Sequence, residues 1–499
     1  MLIYNDDLKI RTELNFKRMR DKIYCYPQVF DHNSWPGDWE GRCLLSLCCM
    51  YKCFDKNRNK QKIIMKQIDG IIKHLDEYTN PEGYFGKSFD GKCVDEQQVS
   101  GNSWFIRGLL ELYSITKDEK HLNRIKSILN NFYYPINKFY DSYPLCERED
   151  GGVGGHTINQ IVNGWKVSSD IGCAFISLDS LSKCYEYIQE PKLKKCIENI
   201  IDVFVKINYV DLKCQTHAAL SCCRGILKFY RLIKENKYLE IATKVFDDYL
   251  NFGMTKDYAN INWFGRKDTW SEPCCIVDSY MIAINLFKIS NDNRYLIIAN
   301  RIYLNAIRNA QRSNGGVGCN TCLTDTNSEC KMYLYEAYFC CTMRFGEGLI
   351  YFRNNFFIER EKEFLITTIN SLTYKNNKEC IKIRGDIYNK KKIIINVNTN
   401  KPVRIYLNNH IKIVSDDNDV IRDENFLILI NKHKKYVIKL DIPYYFENNE
   451  YFAGDMLLVK NNIKEYKNLY FINGQKYSYL INQIYLNGEK ECNKFIETI

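Results

Sequence analysis

The first two thirds of the chain repeat a helical pattern of apolar positions. In segments such as "FIRGLLELYSI", "RGILKFYRLI" and "SYMIAINLFKI", apolar residues recur at positions i, i+3, i+4 and i+7. This spacing places the apolar side chains on one face of an amphipathic helix. From residue 38 to about 352, each such segment is followed by a short polar break and a second helical segment. The pattern predicts a series of helical hairpins.

The breaks inside these hairpins resemble one another. The stretches "LYSITKDEKHLNRI" (112–125), "FYRLIKENKYLEIA" (229–242) and "LFKISNDNRYLIIA" (286–299) share an apolar pair, a polar turn and a following Leu. Repeated hairpins bury their apolar stripes by stacking against their neighbours, either in an open solenoid or in a closed toroid. The connections 146–166 and 252–272 favour the toroid, because they are long for solenoid turns and suit the walls of a pocket.

The pattern changes after about residue 353. Short β-branched runs such as "EFLITTINSLTYK", "KKIIINVNT" and "KYVIKLDIPYYF" are separated by clusters of Asn, Asp, Pro and Lys. This spacing is typical of an antiparallel β-sandwich. We therefore predict a helical toroid over residues 1–352 that carries the chemistry, followed by a β-sandwich accessory domain over residues 353–499.

Composition narrows the classes of function. The chain offers no run of about 18 apolar residues, so we expect no membrane partner. The net charge of +10 is spread as scattered Lys rather than along a basic and aromatic groove, which argues against nucleic acid. The first residues, "MLIYNDDLKIRTELNFKRMR", do not resemble a signal peptide, so we expect a cytoplasmic protein. The 22 Cys would then be buried hydrophobes, metal ligands or nucleophiles rather than disulfides.

A carboxylate and three thiols stand at two predicted helix starts. "WSEPCCIVDSYMIAINLF" (270–287) contains Glu272 and Cys274, and "EAYFCCTMRFGEGLIYF" contains Cys340 and Cys341. Zinc binds thiolate and carboxylate ligands tetrahedrally, and helix N-termini favour thiolates. Adjacent cysteines converge on one ion only where the backbone is irregular.

Buried structural cysteine is the alternative interpretation of these thiols. Other Cys-Cys pairs, in "LCCMYKC" and "SCCRG", have no evident chemical role. The "CNTC" stretch is a competing zinc or redox candidate, although no second Cys-x-x-Cys motif completes it.

The stretch beginning "DTWSEPCCIVDSYMIAINLFKISNDNRYLIIANRIYL", followed by "YEAYFCCTMRFGEGLIYF", resembles the β-L-arabinofuranosidases of glycoside hydrolase family 127 and its DUF1680 relatives. Members of that family carry a Glu-x-Cys pair before a helix and a later Cys-Cys stretch. The resemblance is clear over about residues 214–352 and weaker over 38–213. It implies an (α/α)6 barrel that carries the active site, followed by β-sandwich material.

The resemblance also implies roles for the motif residues. Glu272, Cys274, Cys340 and Cys341 would be the ligands of a Zn²⁺ ion, and Cys340 would also be the nucleophile. A thiolate can attack the anomeric carbon to give a thioglycosyl intermediate, which water then resolves with retention of configuration. A second carboxyl group is needed as the acid/base catalyst.

The match departs from the family at the acid/base position. The family has a Glu about sixteen residues before the carboxylate ligand, and this chain has none there. Asp257 is the nearest candidate, although its side chain is one methylene shorter and the loop would have to bring it closer. Glu347 in "FGEGL" is a second candidate, although its place inside a helix start favours a structural role. Asp257 is equally interpretable as a surface acid, in which case activity would be altered or absent.

Four further residues are candidates for contacts with the sugar. His217 falls where the family has a sugar-contacting His at the head of a helix, and His156 follows glycines that permit close approach of a ligand. Trp263 and Trp270 flank the predicted site and could stack on a sugar ring. An ordinary helix-start His and core-sealing Trp residues are the structural alternatives.

The sequence thus favours a cytoplasmic, zinc-dependent retaining glycosidase that releases L-arabinofuranose from short β-linked oligosaccharides, either as a monomer or as a homodimer. One alternative is a toroidal epimerase, lyase or unsaturated-uronyl hydrolase in which the cysteines are structural. The other is a catalytically inactive sugar-binding relative, which the missing Glu would suit.

Overall fold

A computed structural model gives the fold of the chain. It describes residues 2–5, 7–32, 34–146, 148, 157–266, 269–322, 324, 335–415, 417–430, 432–460 and 470–479. Within these ranges, twelve helices of nine or more residues are present. They are α1 (Asp7–Arg18), α2 (Asp38–Cys53), α3 (Arg58–Lys73), α4 (Glu96–Thr116), α5 (Glu119–Ile128), α6 (Ser177–Tyr185), α7 (Pro191–Phe204), α8 (Thr216–Ile233), α9 (Asn236–Phe252), α10 (Pro273–Ser290), α11 (Asn293–Arg301) and α12 (Cys341–Asn355).

The helices form a closed double ring. The even-numbered helices pack against one another in chain order, and α12 returns to pack on α2, which closes an inner ring. Outer helices α3, α5, α7, α9 and α11 each pack on the inner helix that precedes them, and α1 packs on α12. The predicted (α/α)6 toroid is therefore confirmed. Because an outer helix carries the chain back between successive inner helices, the inner helices run in one direction and begin at one end of the ring.

The three similar breaks in the sequence form the same turn. Lys117, Lys234 and Asn291 end their inner helices in the left-handed region, with φ of 57°, 64° and 56°. The following residue is in each case the N-cap of the outer helix. At two of the turns that residue is Asp118 or Asp292, whose side chain accepts a backbone N–H of the new helix. A shared local turn thus produces the repeated hairpin.

A buried ionic network crosses the axis of the ring. Asp278 on α10 accepts hydrogen bonds from Arg224 at 2.6 Å and from Arg344. Glu347 on α12 accepts from Arg107 and Arg224, both at 2.8 Å. Buried charges need such pairing, because an unpaired charge in the interior is strongly destabilising. The network joins α4, α8, α10 and α12 and so fixes how these helices are turned towards the axis.

The strands lie around the ring mouth and in the C-terminal part of the chain. They are β1 (Leu2–Tyr4), β2 (Val94–Asp95), β3 (Thr157–Val162), β4 (Trp165–Ser168), β5 (Gly318–Cys319), β6 (Tyr335–Glu336), β7 (Phe357–Glu359), β8 (Phe364–Ile366), β9 (Leu372–Lys375), β10 (Cys380–Asp386), β11 (Lys392–Asn398), β12 (Val403–Tyr406), β13 (Lys412–Ile413), β14 (Val420–Asp423), β15 (Phe426–Leu429), β16 (His433–Asp441), β17 (Tyr444–Glu447), β18 (Glu450–Ala453), β19 (Met456–Lys460), β20 (Tyr470–Ile472) and β21 (Gln475–Tyr479).

The C-terminal strands build the predicted sandwich. One sheet has the order β1-β9-β10-β11-β16-β13, and the facing sheet has the order β14-β15-β12-β8-β7. Aromatic rings join the two sheets, since Tyr374 lies 4.7 Å from Phe357 and 5.2 Å from Phe364 between ring centroids. The sheets are antiparallel except that β8 and β12 pair in parallel, which the sequence did not indicate.

A third sheet, β17-β18-β19-β21-β20, connects the sandwich to the ring. Asn305, beyond α11, donates a hydrogen bond to the carbonyl of Asp455 and accepts one from the backbone N–H of Leu457. The last ring helix ends at Asn355, and β1 from the N-terminus pairs with β9. The boundary between the toroid and the accessory domain, predicted between residues 352 and 353, stays a prediction.

Helix α10 has the length and apolar character of a membrane span. Most of its residues are buried inside the ring, however, and an inner helix of a large core has this composition for that reason alone. The expectation of no membrane partner stays a prediction.

Replacing Glu347 by Gln should lower the free energy of unfolding by about 3 to 5 kcal/mol, because three buried arginines lose a shared anion. Urea denaturation measures this change. Glu361→Gln, at an exposed position, is the matched control and should change stability by less than about 0.5 kcal/mol. A loss below about 1 kcal/mol for Glu347→Gln would show that the network does not hold the inner ring together.

Candidate metal centre

The structure brings the four motif residues together at the mouth of the ring. One ligand atom from each of Glu272, Cys274, Cys340 and Cys341 lies within 4.8 Å of the others. The Cys341 sulfur is 3.2 Å from that of Cys274 and 3.4 Å from that of Cys340. A disulfide bond is about 2.05 Å long, so these sulfurs are separate thiols. The group could hold one metal ion.

Two of the four residues are placed by the start of α10. Glu272 is the N-cap residue with extended backbone, and Pro273 occupies the first helical position, where its missing N–H costs no hydrogen bond. The backbone N–H of Glu272 donates to the side-chain oxygen of Asn260 at 2.8 Å. In the described part of the chain, the Glu272 carboxylate makes no capping hydrogen bond to its own helix. One of its oxygens instead lies within 4.8 Å of the three sulfurs.

The other two are placed by an irregular start of α12. Cys340 is the N-cap residue with φ of −147° and ψ of −65°, outside the regular helical and extended regions. Cys341 is the first helical residue, and the carbonyl of Cys340 accepts a hydrogen bond from the N–H of Arg344. This irregular backbone lets two adjacent side chains converge, as the sequence analysis required. Cys340 is half-buried, whereas Cys341 is buried.

A second layer of polar side chains holds the carboxylate. The Gln215 amide nitrogen lies 3.4 Å from one oxygen of Glu272, and His217 Nδ1 lies 3.4 Å from the other. His217 Nε2 is 3.5 Å from Asp278, so the imidazole connects Glu272 to the axis network. Burial lowers the pKa of His217 to about 4, which leaves the ring neutral at pH 7.

The positively charged side chain of Arg42 lies against the sulfur side of the cluster. The Arg42 guanidinium is 3.5 Å from the Cys274 sulfur, donates to Asp38 at 2.7 Å and lies 4.0 Å from the centre of the Trp104 ring. These contacts fix the guanidinium, whose charge favours thiolate over thiol.

The three thiols differ in acidity. Hydrogen bonds from the Cys274 and Cys341 thiols, followed by the charge of Arg42, lower the pKa of Cys340 to about 6. Burial raises the pKa of Cys274 to about 12 and raises that of Cys341 well above its usual range. Cys340 is therefore the thiol that deprotonates first.

The carboxylate is costly to ionise when no cation faces it. Burial, and then the charges of Cys274 and Asp170, raise the pKa of Glu272 well above its usual range. Asp170 is itself buried, and the adjacent carbonyl of Ile171 accepts from the backbone N–H of Gln215. The cluster is thus a buried group of potential anions.

Asp257 lies on a neighbouring turn rather than in the cluster. Its carboxylate accepts a hydrogen bond from Thr255, in a turn closed by the Met254–Asn260 bridge. Burial raises its pKa to about 6. Among the hydrogen bonds and ion pairs of the described residues, none joins Asp257 to the four-residue cluster. Its role as acid/base stays a prediction.

The predicted sugar-contacting residues lie in different settings. His217 is buried behind Glu272, with its ring stacked 5.9 Å from Trp104. Trp263 is buried and Trp270 half-buried, and the two rings meet edge to face at 5.4 Å. His156 lies outside the described residues. Their contacts with a sugar stay predictions.

Several cluster neighbours escaped the sequence analysis, notably Arg42, Gln215, Asn260 and Asp170. One signal was available, since Gln215 precedes His217 by two residues at the same helix start. The other Cys-Cys pairs behave as the structural alternative expected. Cys48, Cys49, Cys222 and Cys223 are buried within helices α2 and α8, and burial raises the pKa of each.

In metal-free protein, Cys340 should react with iodoacetamide well below the pH at which ordinary thiols react. Its thiolate fraction rises as pH increases through about 6, whereas an unperturbed Cys has a pKa of about 8.5. Peptide mass spectrometry after chelation measures alkylation at each Cys across pH 5 to 9. Exposed Cys146 is the internal control. Equal midpoints for Cys340 and Cys146 would contradict the predicted acidity.

Comparison with known proteins identifies solved structures of the same fold. No protein-family model and no curated protein matches the sequence. Three of the similar structures each cover at least 79% of both chains. A protein described as a glycoside hydrolase has a TM-score of 0.61 at 10% identity and covers 92% of this chain and 81% of its own.

The other two neighbours are assigned to glycoside hydrolase family 127. A β-L-arabinofuranosidase from Geobacillus stearothermophilus T6 has a TM-score of 0.61 at 9% identity, covering 92% of this chain and 86% of that one. A β-arabinofuranosidase has a TM-score of 0.59 at 11% identity, covering 90% and 79%. The resemblance noted in the sequence is confirmed at the level of the fold. This chain therefore has the fold of the family 127 β-L-arabinofuranosidases.

Proposed function

We propose that this protein is a zinc-dependent retaining glycoside hydrolase with a cysteine nucleophile. The observation that carries the proposal is the convergence of one carboxylate and three thiols, one of them half-buried and acidic, at the mouth of the ring. The fold supports it, because the similar structures are described as glycoside hydrolases. The sugar we propose is L-arabinofuranose in short β-linked oligosaccharides, after the activity named for those neighbours.

The donor set fits zinc. Three sulfurs and one carboxylate oxygen make up a four-coordinate site of the kind zinc prefers, and softer thiolate ligands disfavour magnesium and calcium. Tetrahedral coordination at a Zn–S distance of about 2.3 Å separates sulfurs by about 3.8 Å. The sulfur separations of 3.2 and 3.4 Å are shorter than that value by about half an ångström, so the thiols need move apart only slightly to bind the ion. Glu272, Cys274, Cys340 and Cys341 would hold the ion.

Bound zinc would supply a fixed positive charge that keeps the thiols deprotonated at neutral pH. The Cys340 sulfur then attacks the anomeric carbon, and the bond from that carbon to the leaving oxygen breaks. A carboxylic acid donates its proton to this oxygen. In the second step water attacks the same carbon, the carbon–sulfur bond breaks and the carboxylate takes the proton of the water. Two displacements retain the configuration.

The environment of Cys340 suits this role. Cys340 is half-buried whereas the other two thiols are buried, so its sulfur is the one that a sugar can approach most readily. Cys274 and Cys341 are buried and would serve as ligands alone. His217 and Gln215 fix the carboxylate of Glu272, which keeps the ligand group in place during the reaction.

Two carboxylic acids are candidates for the acid/base. Asp257 has a pKa raised by burial to about 6, which suits a group that must be protonated before it donates. Asp170 is the carboxylate whose charge acts on Glu272, and it lies beside the Gln215 contact. Asp257 has a pKa that suits an acid, and Asp170 acts electrostatically on a ligand residue.

An inactive sugar-binding protein is the second candidate function. The lack of a described contact between Asp257 and the cluster favours it. Under either function we propose a cytoplasmic protein, as the sequence suggested.

Purified protein should contain about one zinc per chain, because the four residues complete one tetrahedral site. Replacing Cys340 by Ser should lower hydrolysis of p-nitrophenyl β-L-arabinofuranoside by at least about 10³-fold, because the nucleophile is lost. Plasma mass spectrometry and initial rates measure the two quantities. Cys223→Ser, in a buried Cys-Cys pair on α8, is the control and should keep full activity.

Zinc-loaded protein that hydrolyses no arabinofuranoside would favour the sugar-binding function. Activity that survives Cys340→Ser would contradict the cysteine mechanism and leave a toroidal enzyme with structural cysteines.

Replacing the true acid/base by Asn should lower kcat/KM on a disaccharide by about 10² to 10⁴-fold. The loss should be much smaller on a 2,4-dinitrophenyl glycoside, whose leaving group needs no proton. If Asp257 is the acid, wild-type activity falls as pH rises above about 6, and Asp257→Asn abolishes that fall. Steady-state rates of Asp257→Asn and Asp170→Asn across pH 4 to 9 decide between them. Equal losses on both substrates would assign neither residue this role.

A further inference from the structure

An unusual group of exposed aromatic rings lies beside the candidate metal centre. Tyr335, Tyr338 and Phe339 are 39%, 45% and 44% exposed, although large aromatic side chains are usually more buried. Phe339 stacks on Tyr335 at 6.5 Å and meets Tyr338 edge to face at 5.6 Å. Trp270 meets Tyr335 at 6.3 Å. We call these four residues the aromatic rim.

The rim connects the two halves of the cluster along the chain. Trp270 precedes Glu272 by two residues, and Phe339 is bonded directly to Cys340. The rings therefore form a continuous surface from the start of α10 to the start of α12. A ligand that reaches the Cys340 sulfur passes beside this surface.

The exposure of the rim is built into a hydrogen-bonded turn. The N–H of Ala337 donates to the carbonyl of Val317, and the Ala337 carbonyl accepts from Thr342 N–H at 3.0 Å. The hydroxyl of buried Tyr24 donates to the carbonyl of Tyr338 at 2.9 Å. These bonds fix the backbone that carries Tyr338 and Phe339. The fold therefore holds both rings towards solvent, although exposing apolar surface to water is unfavourable.

A buried hydrogen-bond donor lies at the same place. Trp39 is 5% exposed and its ring meets that of Tyr338 edge to face at 5.9 Å. Its indole N–H is buried and has no hydrogen-bond acceptor among the described residues. Buried donors in folded proteins are almost always paired. Trp39 supports the Tyr338 ring from behind through its edge-to-face contact.

We propose that the aromatic rim binds the sugar units of an oligosaccharide that follow the unit cleaved at Cys340. Sugar rings present apolar C–H faces, and exposed aromatic rings match those faces. The cleaved unit occupies the half-buried sulfur site, so the remaining units extend outward across the exposed rings. This inference rests on the proposed function and adds to it where the leaving-group sugars of the oligosaccharide bind, namely on the four side chains of the rim.

The test compares two arabinofuranosides that differ in the leaving group. Methyl β-L-arabinofuranoside lacks a second sugar, whereas a β-linked arabinofuranosyl disaccharide carries one. The double variant Tyr338→Ala/Phe339→Ala removes two exposed rings of the rim. The double variant Tyr444→Ala/Phe446→Ala is the matched control, because it removes two rings that are 45% and 59% exposed on β17.

The rim variant should lose about tenfold in kcat/KM on the disaccharide, from two stacking contacts, and at least five times less on the methyl glycoside. The control variant should match wild type on both substrates. Equal losses on the two substrates, or no loss on the disaccharide, would overturn the inference.

A binding measurement separates this inference from the proposed function. Calorimetric titration of the disaccharide into Cys340→Ser protein should give a Kd about tenfold tighter than in the same protein with the rim variant added. If this difference in Kd is found but the wild type does not hydrolyse the disaccharide, the proposed function is contradicted and the rim is still supported as an oligosaccharide-binding surface. Absence of binding at millimolar disaccharide would overturn the inference. A dimer that dissociates in the rim variant, measured by light scattering, would instead make the rim a subunit interface.

Discussion

The candidate site depends on two inner helices that start side by side at one end of a closed ring. Helices α10 and α12 pack together, and each begins with a pair of the four ligand residues. The sequence separates Cys274 from Cys341 by 67 positions, yet their sulfurs are 3.2 Å apart. An intervening outer helix makes the two inner helices run in the same direction. Without the ring, neither pair would make a four-coordinate site.

The ionic network at the axis supports the same arrangement. Asp278 belongs to α10 and Glu347 to α12, and the guanidinium of Arg224 on α8 contacts both. The neutral ring of His217 lies between Asp278 and Glu272, with one nitrogen 3.5 Å from the first and the other 3.4 Å from the second. Buried charges have few alternative partners, so such a network favours one relative rotation of the helices. The precision of the mouth therefore follows from the charges deeper in the ring.

The electrostatics of the cluster favour a bound cation. Burial raises the pKa values of Glu272, Cys274 and Cys341, and the neighbouring acidic groups of the cluster raise them further. One guanidinium, that of Arg42, contacts the group. A divalent ion reverses this preference by pairing with the charged forms. The proposed chemistry uses the same charge, since the nucleophile must be a thiolate at neutral pH.

The sequence predicted what depends on local pattern and failed where distant segments decide. The 3.6-residue period and the turns at Lys117, Lys234 and Asn291 are local, so the hairpins were predictable. The Glu-x-Cys and Cys-Cys pairs identified both helix starts. In contrast, the contact of Arg42 with Cys274 depends on ring closure, which no periodicity reveals. The parallel β8–β12 pair depends on long-range sheet order in the same way.

The acid/base shows the limit most clearly. A position counted along the sequence selected Asp257, because a family spacing is all that the chain offers. The position of a carboxylate relative to Cys340 depends instead on which distant segments of the chain come together in the fold, and a spacing along the sequence does not give this. Asp170 became a candidate only when the contact between Gln215 and Glu272 placed its segment beside the cluster.

X-ray absorption at the zinc edge of the purified protein tests the central claim most directly. We expect a four-coordinate shell of three sulfurs at about 2.3 Å and one oxygen at about 2.0 Å, because Cys274, Cys340, Cys341 and Glu272 would share one ion. A shell of nitrogen and oxygen alone, or protein that binds no zinc, would contradict it.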